Sequence, residues 1–553
     1  MRLRCLMVCA LLVSGRFAGA ADPPPGEGPW VVRATFQERG QVDRLAAEIE
    51  PWEVDHVGKS IVVDVDRDGW RRLVELGFAP EVDAARTERY ARPRAALPGQ
   101  VEAIPGFPCY RTVEETFSAA QALVLAHPDL ATWMDTGDSW EKTAPGGLAG
   151  YDMMILRLTS SATPGPKPAL FINSAIHARE YATAEITTRF AELLANGYGT
   201  DPDATWILDH HEVHFMLHAN PDGRKRAEAG QLWRKNTNQN YCGATSNNRG
   251  ADLNRNFPFQ WGCCGGSSAA PCDETFRGAA PASEPEVQAT RNYATTLWPA
   301  GWVGGNPPPP DTPGMFLDIH SYGQRLMWPW GSTTTVAPNG IALQTLGRKF
   351  AFFNNHNPHQ AVYLYVTDGS TRDFAYGDRG VASFTFEVGT DFFQDCGSFE
   401  STIYPTNRQA LLYAARVVRR PFELPAGPEV LSVLAQPSVV NVGQPLTLSA
   451  TANDIRFNNS NGTEPTQNVA AAEAYLDTPP WAPGAAALPL AASDGAFDEP
   501  VEDVQAVLST AGWTEGRHLL FVRARDSANN WGPVAAAFVN VQTPVELQSF
   551  TIE

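Results

Sequence analysis

The chain has 553 residues, more than one core of ordinary size accommodates, so two to four domains are expected, by a prior of roughly 150 residues each. Hydrophobic residues make up 43% and charged residues 19%, with 15 Trp, 14 Tyr and 27 Phe, which excludes a globally disordered chain. The formal charge of −19 repels phosphate backbones and excludes nucleic acid as a partner, and no apolar run reaches the roughly 20 residues that span a bilayer.

Arg2 and Arg4 precede an apolar stretch, and Ala18-Gly19-Ala20 gives the small-x-small pattern that a signal peptidase accepts. Residues 1–20 are therefore expected to be a signal peptide, and the protein to be secreted, whether extracellular or periplasmic. Within 21–100, strand patterns at 31–37 and 60–65 alternate with helical patterns at 41–50 and 70–78, a small α+β unit. The polar, Arg-rich stretch 86–94 closes it and reads as a linker. In an exported hydrolase such a stretch is also where a pro-segment is cut. Six cysteines follow the signal: Cys109, Cys242, Cys263, Cys264, Cys272 and Cys396. An even number in an oxidising compartment, without C-x-x-C pairs at zinc-ribbon spacing, predicts disulfides, and the sequence does not choose their pairing.

Residues 101–421 alternate helical and strand patterns and predict one large α/β domain. Helices are expected at 113–127 and 181–194, strands at 168–174, 212–218, 315–319 and 382–386, and 408–419 continues the alternation. Residues 306–311 are a Pro-rich loop insertion, and 421–428 a linker with a flexible Gly427-Pro428 boundary. From 429 to 543, short alternating strands (445–452, 471–476, 518–524, 534–541) predict a β-sandwich of immunoglobulin-like character without cysteine.

His177-Ala178-Arg179-Glu180 lies at a predicted strand-to-helix turn, where i, i+3 spacing lets an imidazole and a carboxylate converge on one ion. By itself H-x-x-E is a weak signal. His320 ends a second predicted buried strand, and open α/β sheets place their sites at the carboxyl ends of strands. Two His and one Glu with an open fourth position form a catalytic zinc set. Glu387 ends the hydrophobic Phe384-Thr385-Phe386 run, where a general base for water would sit. Arg234 offers a cation, and Asn254-Arg255 an amide beside a planar guanidinium that grips a carboxylate. His210, His211, His214, His218, His356 and His359 are read as ordinary structural residues.

With these motifs in order, the chain resembles the zinc metallocarboxypeptidases of the A/B type, and is especially similar to the secreted bacterial carboxypeptidase T branch. The resemblance covers about residues 104–420 and rests on HARE, NPDG (220–223), WRK (233–235), DLNRN (252–256), CCGGSS (263–268), ETFRG (274–278), HSYGQ (320–324) and FTFE (384–387). It implies the family's α/β fold around a large mixed sheet. It implies one zinc ion on His177, Glu180 and His320, with Asp252 behind His177, Glu387 as the base and Arg234 on the developing oxyanion. Asn254, Arg255, Arg179 and a mobile tyrosine would bind the substrate's terminal carboxylate. An ungapped count from Glu387 makes that tyrosine Tyr365, with Tyr376 and Tyr363 as rivals. A Cys242–Cys272 bridge matches the family in position. Cys263 and Cys264 either bond each other or take separate partners. Structural Ca2+ is a further expectation, with Asp454 and Asp526 as oxygen donors.

The same count puts Arg372 at the floor of the specificity pocket, where A-type relatives carry an apolar residue and B-type relatives an aspartate. The aspartate of the T branch, two positions earlier, is replaced by Ser370. A guanidinium cannot be neutralised, so a substrate carboxylate is its natural partner, and release of C-terminal Glu or Asp is expected. Should Arg372 instead pair with Asp368 or Asp373, an A-like hydrophobic preference follows. The expected protein is thus a monomeric exopeptidase acting on peptide C-termini, with a sandwich suited to a surface or carbohydrate partner. A zinc amidase trimming cell-wall stem peptides and a non-catalytic adhesion protein are the other classes weighed.

Overall fold

The computed structural model describes residues 22–26, 28–92, 95–144, 148–299 and 307–543. The expected signal peptide lies outside the described residues. Two units are distinguished, one formed by residues up to 92 except 46–48, the other by the remainder.

In the first unit, β1 (Trp30–Thr35), β2 (Glu53–Asp55), β3 (Ser60–Val65) and β4 (Ala79–Val82) form an antiparallel sheet in the order β2-β3-β1-β4, with helices Arg39–Ala46 and Arg67–Glu75. The β-branched residues of β3 alternate poorly because Ile61, Val62 and Val63 are all buried. The Arg-rich stretch expected as a linker is largely a helix, Ala84–Ala91. The Asp83 side chain accepts from the Arg86 amide at its start, and the Ala, Arg and Glu that follow favour helix over coil.

The second unit opens with an eight-stranded mixed sheet of β5 (Ala131–Asp138), β6 (Asp152–Leu158), β7 (Ala169–Ser174), β8 (Glu212–Met216), β9 (Met315–His320), β10 (Arg325–Trp328), β11 (Asn357–Gln360) and β12 (Ala382–Glu387). Their spatial order is β11-β10-β12-β9-β7-β8-β6-β5. The central strands β12, β9, β7 and β8 run parallel. Every residue of β7 and β9 is buried, as expected of strands covered on both faces. Helices Tyr181–Gly197, Pro285–Leu297, Gly340–Asn354 and Tyr404–Val417 belong to this layered core.

Eight further strands follow: β13 (Glu429–Gln436), β14 (Val439–Asn441), β15 (Pro445–Asn453), β16 (Val469–Leu476), β17 (Leu488–Ala492), β18 (Val501–Ser509), β19 (Gly516–Asp526) and β20 (Ala535–Gln542). They hydrogen-bond in the order β13-β15-β18-β17-β16-β19-β20-β14 around a shared apolar core that includes Leu448, Val504, Leu520 and Val539. The stretch expected as a flexible linker is packed. Leu424–Ala426 form a 3-10 turn, Phe422 and Pro425 are buried, and a Cβ on Gly427 would come within 2.4 Å of the Gly532 nitrogen. Apolar residues in a short connection favour contact over solvation, and the glycine permits backbone against backbone.

Candidate active site

β7, β9 and β12 are parallel neighbours and end on the same edge of the sheet. Just past β7, Ala175 adopts φ 54°, a left-handed conformation that costs a non-glycine residue about 1–2 kcal/mol. That turn leads into His177 and into Glu180 at the N-cap of helix Tyr181–Gly197. The Glu180 carboxylate does not cap the helix. Instead Oε1 lies 2.8 Å from His177 Nδ1 and Oε2 lies 3.3 Å from His320 Nδ1. The two Nδ1 atoms face each other at 3.1 Å, and the ligand atoms of all three residues fall within 4.8 Å of one another. Glu180 Oε2 is buried without a hydrogen-bond partner. Converging acceptors with an orphaned carboxylate oxygen fit a divalent cation, and the donor set matches catalytic zinc.

The opposite ring nitrogens are held by carboxylates. His177 Nε2 is 3.2 Å from Asp252 Oδ1, and His320 Nε2 is 2.9 Å from Asp318 Oδ2. A carboxylate accepts, so each Nε2 carries the hydrogen and each Nδ1 turns a lone pair toward the centre. Asp252 was expected from the family; Asp318 was missed. It stands two residues before His320 on β9, and strand periodicity therefore puts both on one face. Asn173 of β7, its register partner, donates to Asp318 Oδ1 at 2.8 Å, and the Thr371 hydroxyl donates to Oδ2. An aspartate inside an otherwise apolar strand was the signal available in the sequence.

Charge follows this geometry. Burial opposes ionisation of Glu180, yet His177 and His320 hold its carboxyl down at about 2. Asp252 is likewise held well below the usual carboxylate range against burial, by Arg234, Arg255 and His177. His320 is raised well above the ordinary imidazole value, again against burial, by Asp318 and Glu180.

Glu387 ends β12 in direct register with His320. Arg234 grips Asp252 Oδ2 through Nη2 and Nε at 2.8 and 3.1 Å, and its Nη1 is 3.3 Å from His177 Nδ1, so the guanidinium borders the metal group. Asn254 and Arg255 sit on the 3-10 turn Leu253–Arg255, whose start is fixed by the Asn254 amide donating to Asp252 Oδ1. Arg255 donates to the Gly266 and Asn254 carbonyls, and the Asn254 side-chain oxygen accepts from the Thr371 amide at 2.9 Å. Arg179 bonds Glu274 Oε1 at 2.8 Å and lies 4.2 Å above the Phe392 ring. Tyr365 is buried in the segment before helix Thr371–Gly377. The Tyr376 hydroxyl is committed to Asn339, while Tyr363 is 44% exposed against His359.

Arg372 is buried in helix Thr371–Gly377. It contacts Asp373 Oδ1 at 3.1 Å, the Thr385 hydroxyl of β12 at 3.2 Å and the Thr367 hydroxyl at 3.4 Å. Asp373 also accepts the Gly331 amide at 2.8 Å, so its charge is shared. Asp368 takes the Cys264 and Gly266 amides and the Ser267 hydroxyl instead of Arg372. All six described cysteines pair: Cys109–Cys396, Cys242–Cys272 and the adjacent Cys263–Cys264. His211, His214 and His218 are buried, separate from the metal group.

Residues 117–412, just over half the chain, match the zinc carboxypeptidase family. A zinc carboxypeptidase of Saccharothrix mutabilis subsp. capreolus is 28% identical over 404 residues, covering 69% of this chain and 87% of that protein. Rat carboxypeptidase A1 is 31% identical over 291 residues, 50% of this chain and 62% of the relative. The fold is shared with carboxypeptidase A from Helicoverpa armigera at a TM-score of 0.58 and 22% identity, covering 71% of this chain and 98% of that one. The chain belongs to the zinc carboxypeptidase family. It is a metallocarboxypeptidase, a hydrolase with exopeptidase activity.

Proposed function

We propose that the protein is an exported enzyme that removes single residues, preferentially Glu or Asp, from peptide C-termini, with zinc held by His177, Glu180 and His320. The observation that carries the reading is the convergence of those three side chains with Glu387 in register beside them. Zinc, when bound, supplies a Lewis acid that polarises the scissile carbonyl and acidifies water. Glu387 then takes the proton from the attacking water and returns it to the leaving amine. Arg234, already beside His177, stabilises charge developing on the carbonyl oxygen. Asn254, Arg255, Arg179 and Tyr365 orient the substrate's terminal carboxylate. The Cys242–Cys272 bridge restrains the loop carrying the first two.

Arg372 carries the acidic preference: its buried guanidinium faces the Thr385 and Thr367 hydroxyls, and it meets the shared Asp373 carboxylate through Nε alone. That same contact favours the A-like hydrophobic preference as the second reading. Export is supported by three disulfides, and the separately folded first unit suits a pro-segment removed near residues 86–94. The last eight strands are read as an immunoglobulin-like sandwich. The decisive experiment compares peptides ending in Glu, Phe and Lys, with zinc content measured alongside. Glu387→Gln is expected to retain zinc and lose roughly a hundred- to ten-thousandfold in kcat. Near-normal turnover in that variant would remove Glu387 from its role. Glu should rank first and lose its lead in Arg372→Ala; Phe ranking first in the unmodified enzyme establishes the A-like reading instead.

A further inference from the structure

Remote from the metal group, a cleft of ≈ 530 Å³ lies where helix Tyr404–Val417 and the residues after it meet the loops of the last eight strands. That volume falls in the range of small-molecule sites, about 300–1,000 Å³. Its walls concentrate cations in a chain whose net charge is −19. Arg416 is engaged by the Val534 carbonyl and acts on the Asp203 carboxylate, and Arg420 pairs with Glu423 at 3.0 Å. Arg419 is different. It donates to the His210 carbonyl at 3.2 Å, leaves a buried Nε without a partner, and among the described residues has no carboxylate within 4 Å. On β19, Arg523 also lines the cleft, donates to Glu473 and Tyr475 and leaves a buried Nε unpartnered.

Two indoles flank these cations. The Arg419 guanidinium lies 4.5 Å above Trp481, and that of Arg523 3.9 Å above Trp531. The third element is His211, which lines the cleft at 1% exposure. Its Nδ1 is 2.9 Å from the Ala415 carbonyl, which can only accept, so Nδ1 carries the hydrogen. Burial and the neighbouring Arg419 keep the ring neutral, and Nε2 is left as a buried lone pair without a donor.

The cleft therefore asks for two things at once, an anionic oxygen group for the guanidinium groups and a hydrogen-bond donor for His211. An ammonium donor is disfavoured beside so many arginines, whereas a hydroxyl is not. The indoles are engaged by Arg419, Arg523 and the stacked His211 ring, so they hold the cations in place, and a compact ring bearing both a carboxylate and hydroxyls meets the two demands together. We infer that this cleft binds an acidic saccharide, with the sugar carboxylate on Arg419 and Arg523 and a ring hydroxyl donating to His211 Nε2.

The test uses the full chain, calorimetric titration and tryptophan fluorescence, with sodium D-glucuronate as the probe. Glucose, acetate, L-glutamate and inorganic phosphate serve as comparisons. Glucuronate should bind at least about tenfold more tightly than each of these, as expected from losing one charge-assisted hydrogen bond or the hydroxyl donor. Arg419→Gln and Arg523→Gln should each weaken glucuronate roughly tenfold while peptide turnover stays unchanged. The two variants alter different segments, one just past helix Tyr404–Val417 and one on β19, so either alone suffices if the other fails to fold. Absence of glucuronate binding at millimolar concentration, or affinity unaltered in a folded variant, would overturn the site. Glutamate or phosphate binding as well as glucuronate would overturn the saccharide.

Discussion

Asp318 holds His320 as Asp252 holds His177, and it is itself fixed from two sides by Asn173 and Thr371. Its removal should therefore be felt at the metal before it is felt in the fold. Asp318→Asn keeps the shape but removes the negative charge that makes the imidazole a better donor to zinc, and it turns one acceptor oxygen into an NH2 facing the donors of Asn173, Thr371 or His320. Zinc affinity, measured by chelator competition, should fall about 10- to 100-fold. An affinity within twofold of the unmodified protein would show that Asp318 is only packing.

At the scale of elements, helix Pro285–Leu297 enters the core with a carboxyl group beside its buried apolar residues Val287, Ala289 and Ala294. Glu286 in its first turn is 1% exposed, accepts from the Trp140 amide at 2.8 Å and from Asn236 Nδ2 at 3.1 Å, and lies near Asp222 and Glu284. Burial first, then those two carboxylates, push it up to about 8. Unfolded, it would titrate near the ordinary value of 4.5. Between these values the folded state binds the proton and the unfolded state does not. The stabilisation is thus complete below about 4.5 and lost as pH rises toward 8, with a slope of up to about 1.4 kcal/mol per pH unit from this group. Glu286→Gln mimics the protonated form and should flatten the fall in denaturant stability between pH 5 and pH 8. An unchanged pH profile would mean that Glu286 is ionised in the folded protein.

Across the second unit, the C-terminal strands are joined to the catalytic layers by buried charge. Lys349 Nζ, on helix Gly340–Asn354, is 3.3 Å from Glu429 Oε1 of β13, at exposures of 0% and 1%. Arg348 bonds Glu464 at 2.6 Å beside it, and Trp481 packs 6.0 Å from Trp206. Breaking a buried pair costs about 3–5 kcal/mol because the partner is left uncompensated, whereas replacing both members by well-packed neutral groups is often tolerated. Glu429→Gln should accordingly lower denaturant stability by roughly 3 kcal/mol, and Lys349→Met added to it should recover part of the loss, since Arg456 also faces that carboxylate at 3.6 Å. A single variant as stable as the original would mean that water reaches Lys349. A chain ending near residue 425 exposes this surface and should melt earlier. If it stays folded, small-peptide kcat/KM should hold, since every residue assigned to chemistry precedes 421.

The candidate metal group was legible in the sequence where its spacing is local. His177 and Glu180 stand three apart at a turn, and His320 and Glu387 close apolar runs, so spacing and strand ends nominated them, while the ordered motifs of the family resemblance singled them out. Asp318 was equally visible as the one charge in Met315–His320, but strand alternation had to be applied to the ligand's own neighbour. The rest depended on partners far away in sequence. Arg372 was read from a count along the chain, yet its Asp373 and Thr385 contacts are set by how a short helix packs on β12. Residues 421–428 had a linker's composition and became a packed turn because Gly427 meets Gly532, more than a hundred positions on. Lys349 and Glu429 likewise each look like solvated surface charge until folding buries them together. Short-range spacing is a property of the backbone and survives in a string of letters. Desolvation, pairing and packing are properties of what the folded chain brings alongside, and only the tertiary structure decided those.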